Sequence, residues 1–182
     1  PDFAASHPAG ALNVPLDGQH ASWVGTLLTP DQPLLLVADP DRIEEAVMRL
    51  ARVGYEKVIG VLEGGAERWR AEGLPVGTTA QVPVESLAAG ARNVLDVRRA
   101  REWESFHLAG ANHMPLAQLQ ERLGELDRDT EWVVVCASGY RSSIASSVLQ
   151  RAGFTRVANG VGGMDAYRKA GLPVASGAPA GA

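Results

Sequence analysis

The stretch Trp132-Val133-Val134-Val135-Cys136-Ala137-Ser138-Gly139-Tyr140-Arg141-Ser142 decides how this chain is built. Four apolar residues in a row, three of them β-branched, have the pattern of a strand buried on both faces. From Ser142 to Ala152, Ile144, Val148 and Leu149 recur with helical spacing, and Gly153 stands where such a helix would end. Cys136 therefore falls in a strand-to-helix turn. In a parallel sheet these turns open at the carboxyl ends of the strands, where ligands bind.

The residues after Cys136 are small or glycine, so successive N–H groups can face one concavity and form a nest for an anion. The following helix N-terminus adds partial positive charge, and Arg141 adds a full one. Together they favour a thiolate and would hold a charged sulfur substituent in place. Cys136 is the expected nucleophile. Ala137, Ser138, Gly139, Tyr140, Arg141 and Ser142 form the expected binding loop. Tyr140 would line the entrance or shield the sulfur. Ser142 is expected as a helix N-cap that can also donate to the sulfur. A lone cysteine at a strand end is often no more than a small buried apolar residue, but the Gly-Tyr-Arg-Ser continuation argues for chemistry. Phosphatases of related shape place five residues between Cys and Arg; here there are four, a cradle better sized for sulfur than for a phosphoryl group.

Outward from this turn, strands are expected at 93–97 and 156–158. Helices are expected at 116–126, through Leu116, Leu119, Leu123 and Leu126, and at 163–170. Strands alternating with helices imply a parallel sheet with helices on both faces. The same order recurs earlier, with a strand at 34–37, a helix at 43–51 and a strand at 57–61. The segment His7-Pro8-Ala9-Gly10-Ala11, with Pro15 and Leu16, recurs 100 residues later as His107-Leu108-Ala109-Gly110-Ala111, with Pro115 and Leu116. Gly64-Gly65 and Gly73-Leu74-Pro75-Val76 recur 98 residues later as Gly162-Gly163 and Gly171-Leu172-Pro173-Val174. A unit of domain size has been duplicated. The expected organisation is a first domain at 1–76, a linker at 77–83, a second domain at 84–175 and a disordered tail at 176–182.

The copies differ where it matters. Ala38 stands in the place of Cys136, Pro40 removes an N–H donor, and Asp39 and Asp41 would repel an anion. The first unit is expected to be catalytically silent. It also lacks the strand that Val94-Leu95-Asp96-Val97 supplies to the second, so either the chain has been cut from a longer protein or another segment fills that position. Asp96 and Arg98 are expected to pair and support the loop. His107 and its twin His7 are expected to serve folding, Gly162-Gly163 a tight turn near the site, and Trp69 and Tyr167 the core.

Composition limits the alternatives. The chain has 182 residues, 46% hydrophobic and 21% charged, with a net charge of -4 and no basic block, which argues against a nucleic-acid partner. No apolar run approaches the length that crosses a bilayer. A single cysteine excludes an internal disulfide and fits a reducing, cytoplasmic setting. Four histidines and one cysteine without metal-ligand spacing lead us to expect no metal and no cofactor in this chain.

The second unit resembles a rhodanese domain through Leu95-Asp96-Val97-Arg98, Glu102, Phe106-His107, Gly110-Ala111, Pro115, Cys136 to Ser142, Ala152-Gly153-Phe154, Gly162-Gly163 and Gly171-Leu172-Pro173-Val174. The first unit is similar to the same family from Phe3 to Val76. The resemblance implies an α/β fold of two rhodanese-like domains, each a central parallel sheet with helices on both faces. It implies a sulfurtransferase that moves sulfane sulfur from thiosulfate or a low-molecular persulfide, through a Cys136 persulfide, to a thiol or cyanide acceptor. The tandem arrangement and the loop resemble the C-terminal part of metallo-β-lactamase/rhodanese fusion proteins. In these an N-terminal metallo-hydrolase or persulfide dioxygenase would hold the metal and share a small persulfide such as that of glutathione. The alternative is a non-enzymatic thiol-sensing or interaction module attached to such a hydrolase.

Overall fold

In the computed structural model, which describes residues 2–90 and 93–178, the chain divides into two compact units between Thr78 and Thr79.

The first unit runs α1 (Asp2–Ala5), β1 (His7–Pro8), α2 (His20–Leu27), β2 (Leu34–Leu36), α3 (Ile43–Ala51), β3 (Val58–Val61), α4 (Gly65–Ala71) and β4 (Val76–Gly77), with a short 3-10 turn, Pro40–Arg42, before α3. β2 and β3 pair in parallel, and β1 and β4 pair antiparallel. Its core is small, with Val24, Leu50 and Tyr55 packed against Leu34, Leu36 and Val58. Alternation along β2 and β3 turns Leu35 and Ile59 the other way, and they are 51% and 71% exposed. The expected parallel pairing is present, but among the described residues nothing covers the face of this two-stranded sheet that carries Leu35 and Ile59.

The second unit runs β5 (Ala80–Pro83), β6 (Asn93–Asp96), α5 (Ala100–Ser105), β7 (Asn112–His113), α6 (Leu116–Leu119), β8 (Trp132–Val135), α7 (Tyr140–Arg151), β9 (Val157–Val161) and α8 (Gly163–Lys169). Its five strands are all parallel, in the order β5-β9-β8-β6-β7. β8 lies between β6 and β9 and every residue of it is buried, as its unbroken apolar run requires. Val133 and Val135 join Val84, Leu87, Met164 and Tyr167 in one core layer, where each buried aliphatic side chain contributes roughly 1.5–3 kcal/mol. α7 packs against β8 and β9 with Ile144, Ala145, Val148 and Leu149 buried.

Several elements depart from expectation. The segment read as a linker, 77–83, holds strand β5, which pairs with β9 from Ala80 to Pro83. The helix expected over 116–126 stops at Leu119 and resumes only as a 3-10 turn, Leu123–Glu125. Gly124 lies inside that span, and glycine in a helix interior costs about 1 kcal/mol relative to alanine. The expected disordered tail, 176–182, lies outside the described residues from 179 onward; within the described part, the Gly177 N–H donates to Glu104 O at 2.9 Å.

The two histidine twins adopt one arrangement. His107 stacks on Trp103 at 3.8 Å and its Nδ1 is 2.9 Å from Trp103 O. His7 stacks on Phe3 at 3.9 Å with its Nδ1 2.7 Å from Phe3 O. Each also lies in an antiparallel pairing that closes its own unit, His7 with Gly77 and His107 with Ala175. Both rings make the same local contacts through Nδ1 and one face. Tyr167 is buried in the core, while Trp69 is half-buried and donates its Nε1–H to Pro75 O at 2.8 Å.

Candidate active site

Cys136 emerges at the carboxyl end of β8 and is 1% exposed. Gly139 turns the chain with φ +104°, a conformation that glycine takes without a Cβ clash, and α7 starts immediately at Tyr140. The thiol thus faces the N-terminus of a twelve-residue helix, which carries partial positive charge. The Gly139 N–H points at Sγ from 3.2 Å. The expected loop residues Ala137 to Ser142 all belong to this turn or to the first turn of α7. The N-cap, however, is Gly139. Ser142 is the third helical residue and fully buried, with its hydroxyl 3.1 Å from Gly139 O and 2.6 Å from Asn159 Oδ1. Cys136 Sγ lies 3.5 Å from Ser142 Oγ.

The loop is clamped from behind by α8. Met164 N donates to Cys136 O at 2.7 Å, and Asp165 N donates to Ala137 O at 3.0 Å. This approach is so close that a Cβ on Gly163 would overlap the Ala137 carbonyl and lie 2.6 Å from Cys136 O. The Gly162-Gly163 pair expected near the site has this function as well as its turn, with φ of +86° and +61°.

Arg141 is held by a carboxylate across the cleft. Its guanidinium forms a two-pronged bond to Glu102 on α5, Nη1 to Oε2 at 2.7 Å and Nη2 to Oε1 at 2.6 Å. Glu102 also accepts the Arg99 N–H at 3.1 Å. The Arg141 guanidinium holds the Glu102 carboxyl below its ordinary value near 4.5, against the opposing effect of burial, and the Arg99 N–H adds to the lowering. Arg141 is raised, chiefly by Glu102, with smaller attraction from Cys136 and Asp96.

Asp96 and Arg98 are both fully buried and face each other, Nη2 to Oδ2 at 2.6 Å and Nε to Oδ1 at 3.0 Å. Arg98 also donates its backbone N–H to Asp96 and its Nη2 to Phe106 O at 2.7 Å. The pair ties the end of β6 to the chain that follows α5. An open cavity of about 300 Å³ borders the loop at Ala137, with Arg98, Arg101, Glu102, Phe106 and Asp165 around it. Among the described residues no group of three or more His, Cys, Asp or Glu could hold a metal ion. Nor is any helix among them long and apolar enough to cross a membrane.

Three residues in this arrangement had no assigned role in the sequence reading. Glu102 anchors Arg141. Asn159 on β9 reaches Ser142, and Gln81 on β5 receives the Asn159 amide at 3.0 Å. A polar residue inside the apolar strand Val157–Val161 was the one local signal for Asn159.

The rhodanese-like domain family matches residues 81–170. The YrkF protein of Bacillus subtilis (strain 168) is 40% identical over 72 residues, which are 40% of this chain and 39% of that protein, so the chain spans less than half of that relative's length. Thiosulfate sulfurtransferase 16, chloroplastic, of Arabidopsis thaliana is 35% identical over 115 residues, 55% of this chain and 92% of that protein. A rhodanese-related protein of Thermoplasma volcanium superposes with a TM-score of 0.50 at 30% identity, covering 53% of this chain and 97% of that one. With this match over 81–170, and with a sulfurtransferase relative aligned over nearly its whole length, the chain belongs to the rhodanese-like family.

Proposed function

We propose that the chain is a sulfurtransferase that carries sulfane sulfur as a persulfide on Cys136. The observation that carries this reading is the seat of Sγ, which has the Gly139 N–H at 3.2 Å and the α7 N-terminus in front of it. Both favour an anionic sulfur. Two steps follow. The Cys136 thiolate attacks the outer sulfur of thiosulfate, the S–S bond breaks, and sulfite leaves with the electron pair. An acceptor, cyanide or a thiolate, then attacks the terminal sulfur of the persulfide and returns Cys136 as thiolate. A low-molecular persulfide can replace thiosulfate, with its thiolate as leaving group. Ala137 to Ser142 form the binding loop in this scheme, and Asp96 and Arg98 support it.

The first unit, 1–76, is proposed as a silent rhodanese-like partner of the active domain, 84–175. Its support is the pair of histidine twins at an offset of 100 and the glycine twins at 98, together with Ala38 in the place of the nucleophile. A parent protein with an N-terminal metallo-hydrolase that shares a small persulfide, and a cytoplasmic setting, complete the proposal.

Mass spectrometry after thiosulfate treatment tests it. The expected result is one added sulfur atom on the protein, removed by dithiothreitol, with thiocyanate formed when cyanide is supplied. No sulfur uptake, with a stable sulfenate at Cys136 after peroxide, would replace the carrier with an oxidant sensor.

A further inference from the structure

The hydrogen bonds behind Cys136 run in one direction, and their sense is set at the far end. Gln81 Nε2 lies 3.0 Å from Thr79 O and 3.3 Å from Ala80 O. Carbonyls only accept, so the amide nitrogen must face them and Oε1 must face Asn159. Asn159 therefore presents Nδ2 to Gln81, at 3.0 Å, and Oδ1 to Ser142, at 2.6 Å. Ser142 has a single hydroxyl proton. While it is committed to Asn159, the serine offers only lone pairs to the sulfur at 3.5 Å. This arrangement suits a thiol, whose S–H can donate to Oγ. Beyond the Gly139 N–H, an anionic sulfur gains a second donor only if the hydroxyl swings from Asn159 to Sγ, and the buried Oδ1 then loses its donor.

We propose that Asn159, oriented by Gln81, is a positioning residue that sets how readily Cys136 gives up its proton, by competing with the sulfur for the Ser142 hydroxyl. The Cys136 loop then has two hydroxyl positions. One matches the resting thiol and the other matches the thiolate or persulfide. The persulfide state rests on the sulfurtransferase reading; the competition for the proton does not.

The chain has one cysteine, so alkylation by iodoacetamide reports on Cys136 alone. The rate measured against pH gives a midpoint for each variant. In Asn159→Ala the hydroxyl keeps only Gly139 O, at 3.1 Å, as a competing acceptor, and the midpoint is expected to fall by up to about one pH unit, which is tenfold in the ionisation equilibrium. In the Ser142→Ala background the same substitution is expected to change nothing, because the hydroxyl that couples the two is gone. The charged and titratable groups nearest the loop are Arg141 with Glu102, Asp96 with Arg98, Arg101, His113, Tyr140 and Asp165, and α5, α7 and α8 carry Glu104, Arg151, Arg168 and Lys169 further along. They are identical in all variants and cancel in the comparison. An unshifted midpoint in Asn159→Ala, or a shift that persists without Ser142, overturns the proposal. If Asn159→Ala does not fold, Gln81→Met on the exposed edge strand carries the test. It frees the Asn159 amide to turn, a smaller fall of the midpoint is expected, and no fall overturns the idea. Alkylation requires no sulfur transfer. A shifted profile in a protein that forms no thiocyanate would leave this proposal standing and remove the sulfurtransferase reading.

Discussion

The turn at Cys136 and the turn at Ala38 start from similar material and end differently. Both follow a short apolar strand in a parallel pairing and both precede a helix. After Cys136 the chain passes through Gly139 straight into α7, with the Gly139 N–H facing the sulfur. After Ala38 it passes through Asp39 into a 3-10 turn that opens with Pro40, and Arg42 bonds outward to Asp17 and Glu45. The glycines of the last helices draw the same contrast. Gly64 and Gly162 are twins whose added Cβ would meet the Cβ four residues on at 2.8 Å, in Arg68 and Ala166. Gly65 and Gly163 share φ values of +57° and +61°, yet Gly65 has nothing within 4 Å while Gly163 lies against the Cys136 loop. Similar turns and glycines are therefore compatible with two outcomes, and the close approach of the last helix to the turn belongs to the unit that carries Cys136.

This contrast can be broken at several points. The largest effect is expected from Cys136→Ser, which should lower thiocyanate formation by about a thousandfold or more, the scale seen when a nucleophile is removed. Ala38→Cys added to that variant should restore nothing, and any rescue in the same assay would erase the functional difference between the turns. Next comes Gly163→Ala. Its left-handed backbone and its clash with the loop together predict a loss of about 2–4 kcal/mol, against about 1 kcal/mol for Gly65→Ala. Urea unfolding of both variants measures this, and equal losses would show that α8 does not clamp the loop.

Glu102→Gln should have a smaller, pH-dependent effect. The Glu102 carboxyl is held below its ordinary value near 4.5, so its stabilisation is present above that pH and is lost as the pH falls through the lowered value. The pair is partly exposed, and solvent screening limits the effect to less than about 1 kcal/mol. Urea midpoints of wild type and variant should differ at pH 7 and converge as the pH falls through the lowered value of the Glu102 carboxyl; a gap that persists in strong acid would separate Arg141 from Glu102. The smallest effect is expected from Arg42→Ala. Its partners Asp17 and Glu45 lie at the surface, and its urea midpoint should match wild type within error.

The strand Trp132–Val135 was legible because an unbroken apolar run has few other places to go. The turn at Cys136 and the end of α7 before Gly153 followed from local chemistry. Pairings across the sheet were not legible in this way. Arg141 and Glu102 are far apart in the chain, and no spacing rule joins residues that meet only when α5 and α7 flank the same sheet end. Asn159 and Gln81 meet because β5 lies beside β9, an edge that the sequence reading had assigned to a linker. The helix expected at 116–126 failed for a different reason. Leu116, Leu119 and Leu126 are all buried as their spacing suggests, but two short turns satisfy the same spacing as one helix.

The clamp from α8 also imposes an order in time. A chain made from its N-terminus presents Cys136 well before Met164 and Asp165, whose N–H groups bond the carbonyls of Cys136 and Ala137. Until those donors are made, the two carbonyls lack the partners they have in the folded domain. The full set of bonds around the Cys136 turn is therefore complete only once α8 has been synthesised.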